Sequence, residues 1–272
     1  ITVAAQRIAA GDLTQRLHSE RSTDEIGRLT DTFNNMIARL ETSFAQIRQF
    51  SSDASHELRT PLTVMKGESE LVLRRPRPVE DYIAVLESNL EEIDRMSRIV
   101  EELLFLSRAD MGQVKTECEP VRLEDLVEDI QRQACLLGQE REVDVIMGTI
   151  QPATVRGDEL RLRELILNIV DNAVKYSHPH GKVEIDLRVE GPTARLSVRD
   201  YGIGIPQDAH KQIFDRFFRT DDARAHTKKG TGLGLAICAW IAEAHHGHIE
   251  VQSEIGTGST FTLVLPLAAT AA

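Results

Sequence analysis

The chain has 272 residues, of which 41% are apolar, so it is long enough for about two domains with buried cores. Its formal net charge is −11 at pH 7, and no cluster of lysines and arginines offsets this acidic balance. The composition therefore excludes disorder of the whole chain and argues against nucleic acid as a partner, because nucleic-acid binding needs a basic surface.

Residues 1 to about 110 have the apolar spacing of helices almost throughout. Turn residues interrupt this pattern at Gly11 and at the prolines of residues 74–78, since proline cannot continue a helix. The sequence predicts a short helix before Gly11, a long helix over residues 24–73 and a third over residues 79–109. The last two should form an antiparallel hairpin. Because two helices cannot close a core alone, we expect two copies to form a four-helix bundle and hence a homodimer.

After Gly112 the pattern changes to alternating short strands and helices. We expect helices over residues 121–137, 158–176, 206–217 and 233–245, and strands over residues 144–150, 182–189, 194–200, 248–253 and 260–266. This order predicts an α/β sandwich in which one helical layer covers a mixed sheet.

His56 occupies an unusual position in the long predicted helix. At about 100° per residue it points nearly opposite the apolar edge that runs through Ala54 and Leu58. The imidazole therefore has no core to fill, and we expect it to be displayed on the surface.

Two glycine clusters, residues 200–204 and 230–234, indicate close backbone approach to a ligand, because glycine allows positive φ and has no Cβ. The second cluster leads into the helix predicted to begin at Leu233, whose first N–H groups favour an anion. Neither cluster matches the phosphate loop that ends in Gly-Lys-Ser/Thr or the dinucleotide fingerprint.

The helix before these clusters places Glu164, Asn168, Asn172 and Lys175 along one face. Asparagine oxygens are hard ligands that suit Mg²⁺, and Lys175 would then meet the phosphates of a nucleotide. Taken alone, such a row is more typical of a solvated helix face.

Four motifs follow one another in the second half of the chain. They are Asn-Ile-Val-Asp-Asn-Ala-Val-Lys-Tyr at 168–176, Asp-Tyr-Gly-Ile-Gly at 200–204, Phe-Asp-Arg-Phe-Phe-Arg at 214–219 and Gly-Thr-Gly-Leu-Gly-Leu-Ala-Ile at 230–237. In this order they resemble the N, G1, F and G2 boxes of sensor histidine kinases, and the segment around His56 resembles the phosphoacceptor motif. The resemblance covers about residues 46 to 267. It implies a dimerisation and histidine-phosphotransfer hairpin followed by an ATP-binding domain of the type shared with gyrase and Hsp90.

The resemblance implies a role for each matching residue. Asp200 would bind the adenine amino group, Asn172 would hold Mg²⁺, and residues 214–231 would form a mobile lid with Arg219 available to the phosphates. The other residues expected to bind ATP are Asn168, Lys175, Tyr176, Gly202, Gly204, Gly230, Thr231, Gly232, Leu233 and Gly234.

Two departures from related proteins bear on this site. The related ATPases have a glutamate general base where this chain has Asn168, and an amide cannot take a proton from water. Hydrolysis of ATP should therefore be slow. Lys228 and Lys229 precede the second glycine cluster, where many relatives have paired glycines, so contacts of the lid should differ.

With ATP in place, His56 would be the nucleophile for the γ-phosphate. The resemblance implies that Glu57 orients the imidazole and accepts its other proton, although a plain surface carboxylate is the alternative. It also implies that Thr60, one turn later, helps to place a water for dephosphorylation of a response-regulator aspartate. The alternative for Thr60 is a role in bending the helix before Pro61, since proline disfavours the α conformation of the preceding residue.

Residues 8–13, 24–29 and 33–36 resemble a HAMP signal-relay module, which normally follows a transmembrane helix. Ile1 in place of an initiating methionine indicates a piece of a longer protein, and no run of eighteen apolar residues is present in it. We therefore expect a cytoplasmic fragment of a bacterial inner-membrane protein. The expected domains are a HAMP fragment (1–45), the phosphotransfer hairpin (46–111), a linker (112–120), the ATP-binding domain (121–267) and a tail (268–272).

The sequence thus predicts a protein-histidine kinase that uses ATP and Mg²⁺, phosphorylates His56 and transfers the phosphoryl group to the receiver domain of a response regulator, with phosphatase activity toward that regulator. Two alternatives remain open. One is an ATPase of the same nucleotide fold, against which Asn168 argues. The other is a helical signalling scaffold whose ATP site no longer works.

Overall fold

The computed structural model describes residues 25–227 and 230–268, and its contacts divide the chain into a first unit, residues 1–92, and a second unit, residues 93–272. The helix predicted before Gly11 lies outside the described residues. Within them, no helix combines the length and the apolar character needed to cross a membrane.

The described part of the first unit, residues 25–92, is helical. Helix α1 spans Glu25–Leu73 and continues through Pro61, and helix α2, Val79–Asp110, begins in this unit. Glu80 and Asp81 lie in the first turn of α2, where their negative charges interact favourably with the positive end of the helix dipole. Near the turn that joins the helices, Asn89 donates a side-chain hydrogen bond to Ser69 Oγ at 3.2 Å. The predicted helical hairpin is confirmed.

Much of the apolar surface in the described part of the first unit is exposed to solvent. Among its described side chains, the buried aliphatic ones are those of Ile37, Pro61 and Val72. Exposed apolar side chains recur along both helices at Leu62, Val64, Leu71, Leu73, Val79, Ile83, Leu86 and Leu90.

The second unit contains a mixed five-stranded sheet. Its strands are β2 (Asp144–Ile150), β4 (Lys182–Glu190), β5 (Thr193–Asp200), β6 (His248–Glu254) and β7 (Gly258–Pro266), in the spatial order β2-β4-β5-β7-β6. Strand β2 runs parallel to β4, and the other neighbours are antiparallel. A separate antiparallel pair joins β1 (Glu119–Arg122) to β3 (Thr154–Gly157).

Helices cover one face of the five-stranded sheet. They are α3 (Leu123–Gln139), α4 (Glu159–Tyr176) and α6 (Gly234–Ala244), whereas α5 (Asp221–His226) is a single short helix after β5. Alternate residues of the sheet are buried with the apolar side of α4, which is the pattern of a sheet with one covered face. The core side chains include Leu162, Leu165, Ile166, Ile169, Val183, Ile185, Leu187, Leu196 and Val198. The predicted α/β sandwich is confirmed.

The helix predicted over residues 206–217 is wrong. The segment forms two separate 3₁₀ turns, Gln207–Ala209 and Gln212–Phe214, and each buries one apolar side chain, Ala209 and Ile213. These two residues are four apart, so they imitate the spacing of a helix. The sequence pattern did not predict β1, β3 and α5, because these elements are too short for their apolar residues to show a periodic spacing. Strand β1 also takes Val121 and Arg122, which the sequence assigned to a helix.

Candidate active site

Helix α4 presents the polar face that the sequence predicted. Asp158 caps its start by accepting a hydrogen bond from the Arg161 N–H at 3.1 Å. Asn168 and Asn172 are half-buried on this helix. A Cβ added to Gly234 would lie 3.5 Å from Asn168 Oδ1, so the polar face lies against the second glycine cluster.

Lys175, in the last turn of α4, is buried at 8% exposure. Burial lowers the pKa of its ammonium group to about 8, although the nearby Asp171 carboxylate raises it. Its Nζ lies 5.5 Å from the centre of the Tyr176 ring. A Cβ on Gly230 would lie 3.1 Å from the same Nζ. A desolvated cation thus adjoins the loop that begins at Gly230.

Asp200 ends strand β5 and is buried at 5% exposure. Its Oδ1 accepts hydrogen bonds from the backbone N–H groups of Gly202 at 3.0 Å and Ser259 at 3.2 Å. Burial raises the pKa of this carboxyl group to about 6, against the lowering effect of those bonds. The result is a fixed, desolvated acceptor that suits the amino group of a purine.

Close backbone approaches surround Asp200, and they explain the first glycine cluster. A Cβ on Gly202 would lie 1.9 Å from the Tyr176 carbonyl oxygen, and a Cβ on Gly204 would lie 2.0 Å from that of Glu254. Only glycine fits at these two positions. They bring the end of β5 against both the end of α4 and the turn after β6.

The second glycine cluster begins helix α6 through a tight turn. Gly232 has a φ of +72°, and its carbonyl oxygen accepts the N–H of Phe217 at 2.9 Å. Thr231 Oγ1 accepts the N–H of Leu233 at 3.2 Å, which satisfies a donor at the start of the helix. The predicted loop-to-helix transition is present, although α6 begins at Gly234 and not at Leu233.

Arg219 holds the segment predicted to be a lid. Its guanidinium donates to the carbonyl oxygens of Gly230 at 2.9 Å, Ala223 at 2.8 Å and Thr227 at 2.6 Å. A Cβ on Gly230 would lie 3.1 Å from Arg219 Cζ, so this cation shares the neighbourhood of Lys175. Lys228 and Lys229 lie outside the described residues.

An open pocket of about 490 Å³ lies beside the first glycine cluster. It is lined by His178, Ile203, Asp222, Ala225, His226, Ile255 and Gly256. The charge of His178 acts on Asp200, and the His226 ring lies 6.1 Å from that of Tyr176. The lining of this pocket thus comes from the first glycine cluster, from helix α5 and from the turn after β6. Among the described residues, no three His, Cys, Asp or Glu side chains are grouped so that they could hold a metal ion.

The predicted phosphoacceptor residues lie on α1. His56 is exposed, as its helical phase predicts, and Glu57 is half-buried. Thr60 Oγ1 donates to the His56 carbonyl oxygen at 3.2 Å, and its side chain is exposed. The imidazole is therefore open to reagents from solvent.

Sequence reasoning missed the structural role of His245. This residue is 3% exposed, and its Nε2 accepts the N–H of Asp158 at 2.9 Å. Its Nδ1 therefore carries the proton and donates to the Ile241 carbonyl oxygen at 2.7 Å. The sequence feature that could have indicated this role is Gly157, since a Cβ at this position would lie 2.5 Å from the His245 imidazole. His245 thus supports the start of the helix that carries the polar face.

Three family models match the chain in the order expected from the resemblance. Residues 1–42 match the HAMP domain, and residues 46–112 match the His Kinase A (phospho-acceptor) domain. Residues 157–269 match the histidine kinase-, DNA gyrase B-, and HSP90-like ATPase family.

Comparisons with individual proteins agree with these matches. The signal transduction histidine-protein kinase ArlS of Staphylococcus aureus is 34% identical over 253 residues, which are 92% of this chain and 55% of ArlS. The solved structure of the Acinetobacter baumannii histidine kinase AdeS is 25% identical with a TM-score of 0.64, and it covers 79% of this chain and 98% of AdeS. Full-length ShkA, solved in complex with AMPPNP, is 28% identical with a TM-score of 0.61, over 83% of this chain and 47% of ShkA.

The chain spans about half the length of the curated relatives that it matches. Within this span, the match to the phospho-acceptor domain is followed by the match to the ATPase family. The chain belongs to the sensor histidine kinases of two-component systems.

Proposed function

We propose that the chain phosphorylates its own His56 with ATP and then passes the phosphoryl group to an aspartate in the receiver domain of a response regulator. The observation that carries this proposal is the exposed His56 in a chain that also holds a buried acceptor, Asp200, and a desolvated cation, Lys175. The nucleotide analogue in the solved structure of ShkA supports ATP as the phosphoryl donor.

The nucleotide would be held by three kinds of group. Asp200 would accept the adenine amino group, because its buried oxygen is already fixed by two backbone bonds. Lys175 and Arg219 would meet the phosphates. Asn172, whose amide oxygen is a hard ligand on the same face of α4, would hold Mg²⁺. When bound, Mg²⁺ neutralises charge on the phosphate oxygens.

His56 would act as the nucleophile through a neutral ring nitrogen. The bond from this nitrogen to the γ-phosphorus forms as the bond from phosphorus to the β,γ-bridging oxygen breaks, and ADP leaves. Glu57 would orient the imidazole and take the proton from its other nitrogen as positive charge develops on the ring. Asn168 supports transfer over hydrolysis, since an amide in place of a glutamate cannot activate water.

We further propose that the protein removes the phosphoryl group from its regulator with the help of Thr60. In the structure this hydroxyl donates to the carbonyl oxygen of His56, one turn earlier on the same exposed face. It would therefore be close to a phosphoaspartate that approaches the imidazole. The functional form would be a homodimer, and the parent protein would be anchored in the bacterial inner membrane through a segment before the HAMP module.

Labelled ATP with Mg²⁺ tests the kinase reaction. We expect acid-labile, base-stable label on the wild-type protein and none on His56→Gln. His248→Gln is the matched control, because His248 is exposed and lies on β6. Label that persists in His56→Gln would contradict the proposal. Release of phosphate over many turnovers without a phosphoprotein would indicate an ATPase instead.

The phosphatase reaction needs a separate measurement. Thr60→Ala should keep autophosphorylation and lose dephosphorylation of the phosphorylated regulator, whereas Thr60→Ser should keep both, because it retains the hydroxyl. Equal phosphatase rates in Thr60→Ala and the wild type would remove Thr60 from this reaction.

A further inference from the structure

The C-terminal part of helix α2 lies against the nucleotide-binding domain within the second unit. The Phe105 ring packs edge-on against Trp240, with centroids 5.1 Å apart and an interplanar angle of 90°. The Arg161 guanidinium lies 4.7 Å from the centre of the Phe105 ring on another side. Asp110, the last residue of α2, forms an ion pair with Arg216 at 2.6 Å. These contacts hold this part of α2 in place.

Glu102, one turn before Phe105, extends from the docked helix to the second glycine cluster. Thr231 Oγ1 donates to Glu102 Oε2 at 2.9 Å. The same hydroxyl accepts the N–H of Leu233 at the start of α6. The carboxylate of Glu102 is therefore linked, through one hydroxyl, to the helix start that the sequence assigns to an anion.

The surroundings of Glu102 are those proposed for phosphate. Gly230 precedes Thr231, and a Cβ on it would lie 3.1 Å from both Lys175 Nζ and Arg219 Cζ. Burial raises the pKa of Glu102, while the bond from Thr231 and the charges of Arg98 and Lys175 lower it. A half-buried acidic side chain thus interacts with the lysine that would meet the triphosphate.

We propose that Glu102 is an internal substitute for phosphate, so that docking of the C-terminal part of α2 and binding of ATP compete for the Thr231 loop and Lys175. This inference rests on the proposed nucleotide site. Thr231 can donate its one hydroxyl proton to either acceptor but not to both at once. In addition, two anions in one desolvated site repel each other strongly.

The competition couples nucleotide binding to the position of α2. By thermodynamic linkage, α2 docking weakens ATP binding by the same factor by which ATP weakens docking. Phe105 on Trp240 supplies apolar contact to the docked state, and Glu102 supplies the blocking charge. The contact is autoinhibitory: the docked arrangement has low affinity for ATP, and bound ATP frees the C-terminal part of α2.

Affinity for AMPPNP with Mg²⁺, measured by calorimetry on the whole chain, tests the competition. Glu102→Gln keeps the shape of the side chain and removes its charge. We expect its Kd to fall about 5- to 20-fold below that of the wild type. Glu101→Gln is the matched control, since its neighbouring carboxylate is exposed and should leave the Kd unchanged.

Trp240 provides an independent readout, because it is the one tryptophan of the chain and it contacts Phe105. Saturating AMPPNP should change its emission in the wild-type protein. In Phe105→Ala the emission without nucleotide should already match that of the nucleotide-bound wild type, and the Kd should fall as in Glu102→Gln.

The outcomes separate this inference from the proposed function. A Kd for Glu102→Gln equal to or above that of the wild type overturns the competition while leaving the nucleotide site intact. Bound AMPPNP that leaves the Trp240 emission unchanged overturns the displacement of α2. Absence of AMPPNP binding in every variant overturns the proposed nucleotide site itself, and the inference with it.

Discussion

The two units of the chain differ in how completely each buries its own apolar surface. The second unit closes a core between its sheet and one helical layer, with Leu165, Ile185 and Leu187 fully buried. The described part of the first unit leaves Leu86 and Leu90 about 60% exposed. The residues proposed to bind nucleotide thus lie on a unit with its own closed core, whereas His56 lies on a helix whose apolar flank needs another surface. We therefore expect nucleotide binding to depend on the folding stability of the second unit, and phosphoacceptance by His56 to depend also on a surface that covers the first unit.

Asp200→Asn should produce the largest effect, and it should affect only the second unit. Asparagine keeps an oxygen that accepts the Gly202 and Ser259 N–H groups, so the fold should persist. It cannot present a carboxylate to the adenine amino group, so nucleotide affinity should fall more than about 100-fold, or ~3 kcal/mol. Calorimetry with AMPPNP and Mg²⁺ measures this loss.

Asp208→Asn is the control for this substitution, because Asp208 is an exposed acid in the segment that follows. Its affinity should equal that of the wild type. The dimer dissociation constant should not change in either variant. Nucleotide binding by Asp200→Asn that stays within about threefold of the wild type would contradict the role given to Asp200.

His245→Ala tests whether the second unit depends on its own internal supports. The change removes a buried ring and leaves the Asp158 N–H without the imidazole that accepts it, whereas the Ile241 carbonyl loses the imidazole and keeps its bond from the backbone N–H of residue 245. Unfolding free energy of this unit should drop by about 2–3 kcal/mol. Urea unfolding followed by Trp240 fluorescence gives the value. The exposed His248→Ala should cost less than about 0.5 kcal/mol, and equal losses in both variants would show that the buried bonds of His245 contribute little.

Local patterns in the sequence drew attention to most of the residues proposed for the site, and the supports that these patterns missed are contacts between distant residues. The polar face of α4 and both glycine clusters are continuous in sequence, so spacing drew attention to Asn168, Lys175 and the cluster that Asp200 begins. The resemblance to sensor histidine kinases then implied the role of each of these residues. His245 meets Asp158 across 87 residues, and Glu102 meets Thr231 across 129 residues. No periodicity records such pairs, because they form only when the sheet and the helices pack together.

The pH dependence of stability of the second unit should show the energetic cost of burying the Asp200 carboxyl group. The folded-state pKa of Asp200 is about 6, above its ordinary value of 3.8. Between these two values the folded protein holds a proton that the unfolded chain releases, so stability falls as pH rises through this window. Since one pKa unit corresponds to about 1.4 kcal/mol, the loss between pH 4 and 7 should be about 1–3 kcal/mol.

Asp200→Asn removes the titrating carboxyl group, so this variant is the control for the pH dependence of the wild type. The stability of the variant relative to the wild type should increase by that amount between pH 4 and 7, as measured by urea unfolding with Trp240 fluorescence. The variant would then gain relative stability at neutral pH while it loses nucleotide affinity. A difference in stability that does not depend on pH would show that burial of Asp200 carries no such cost.

Leu86→Lys should change the first unit and leave the second unaffected. Leu86 is 63% exposed in the single chain and belongs to the row of exposed apolar side chains. If that row is covered by a second copy, each dimer would desolvate two lysines, although their long side chains can reach solvent at the edge. We expect the dimer dissociation constant to rise about tenfold, or ~1.4 kcal/mol, by sedimentation equilibrium. Ala84→Lys adds the same side chain nearly opposite on α2, at an exposed position, and should have little effect.

Equal dissociation constants for the two variants would mean that another surface joins the copies. Unchanged AMPPNP affinity in Leu86→Lys would show that the second unit binds nucleotide without help from the first unit.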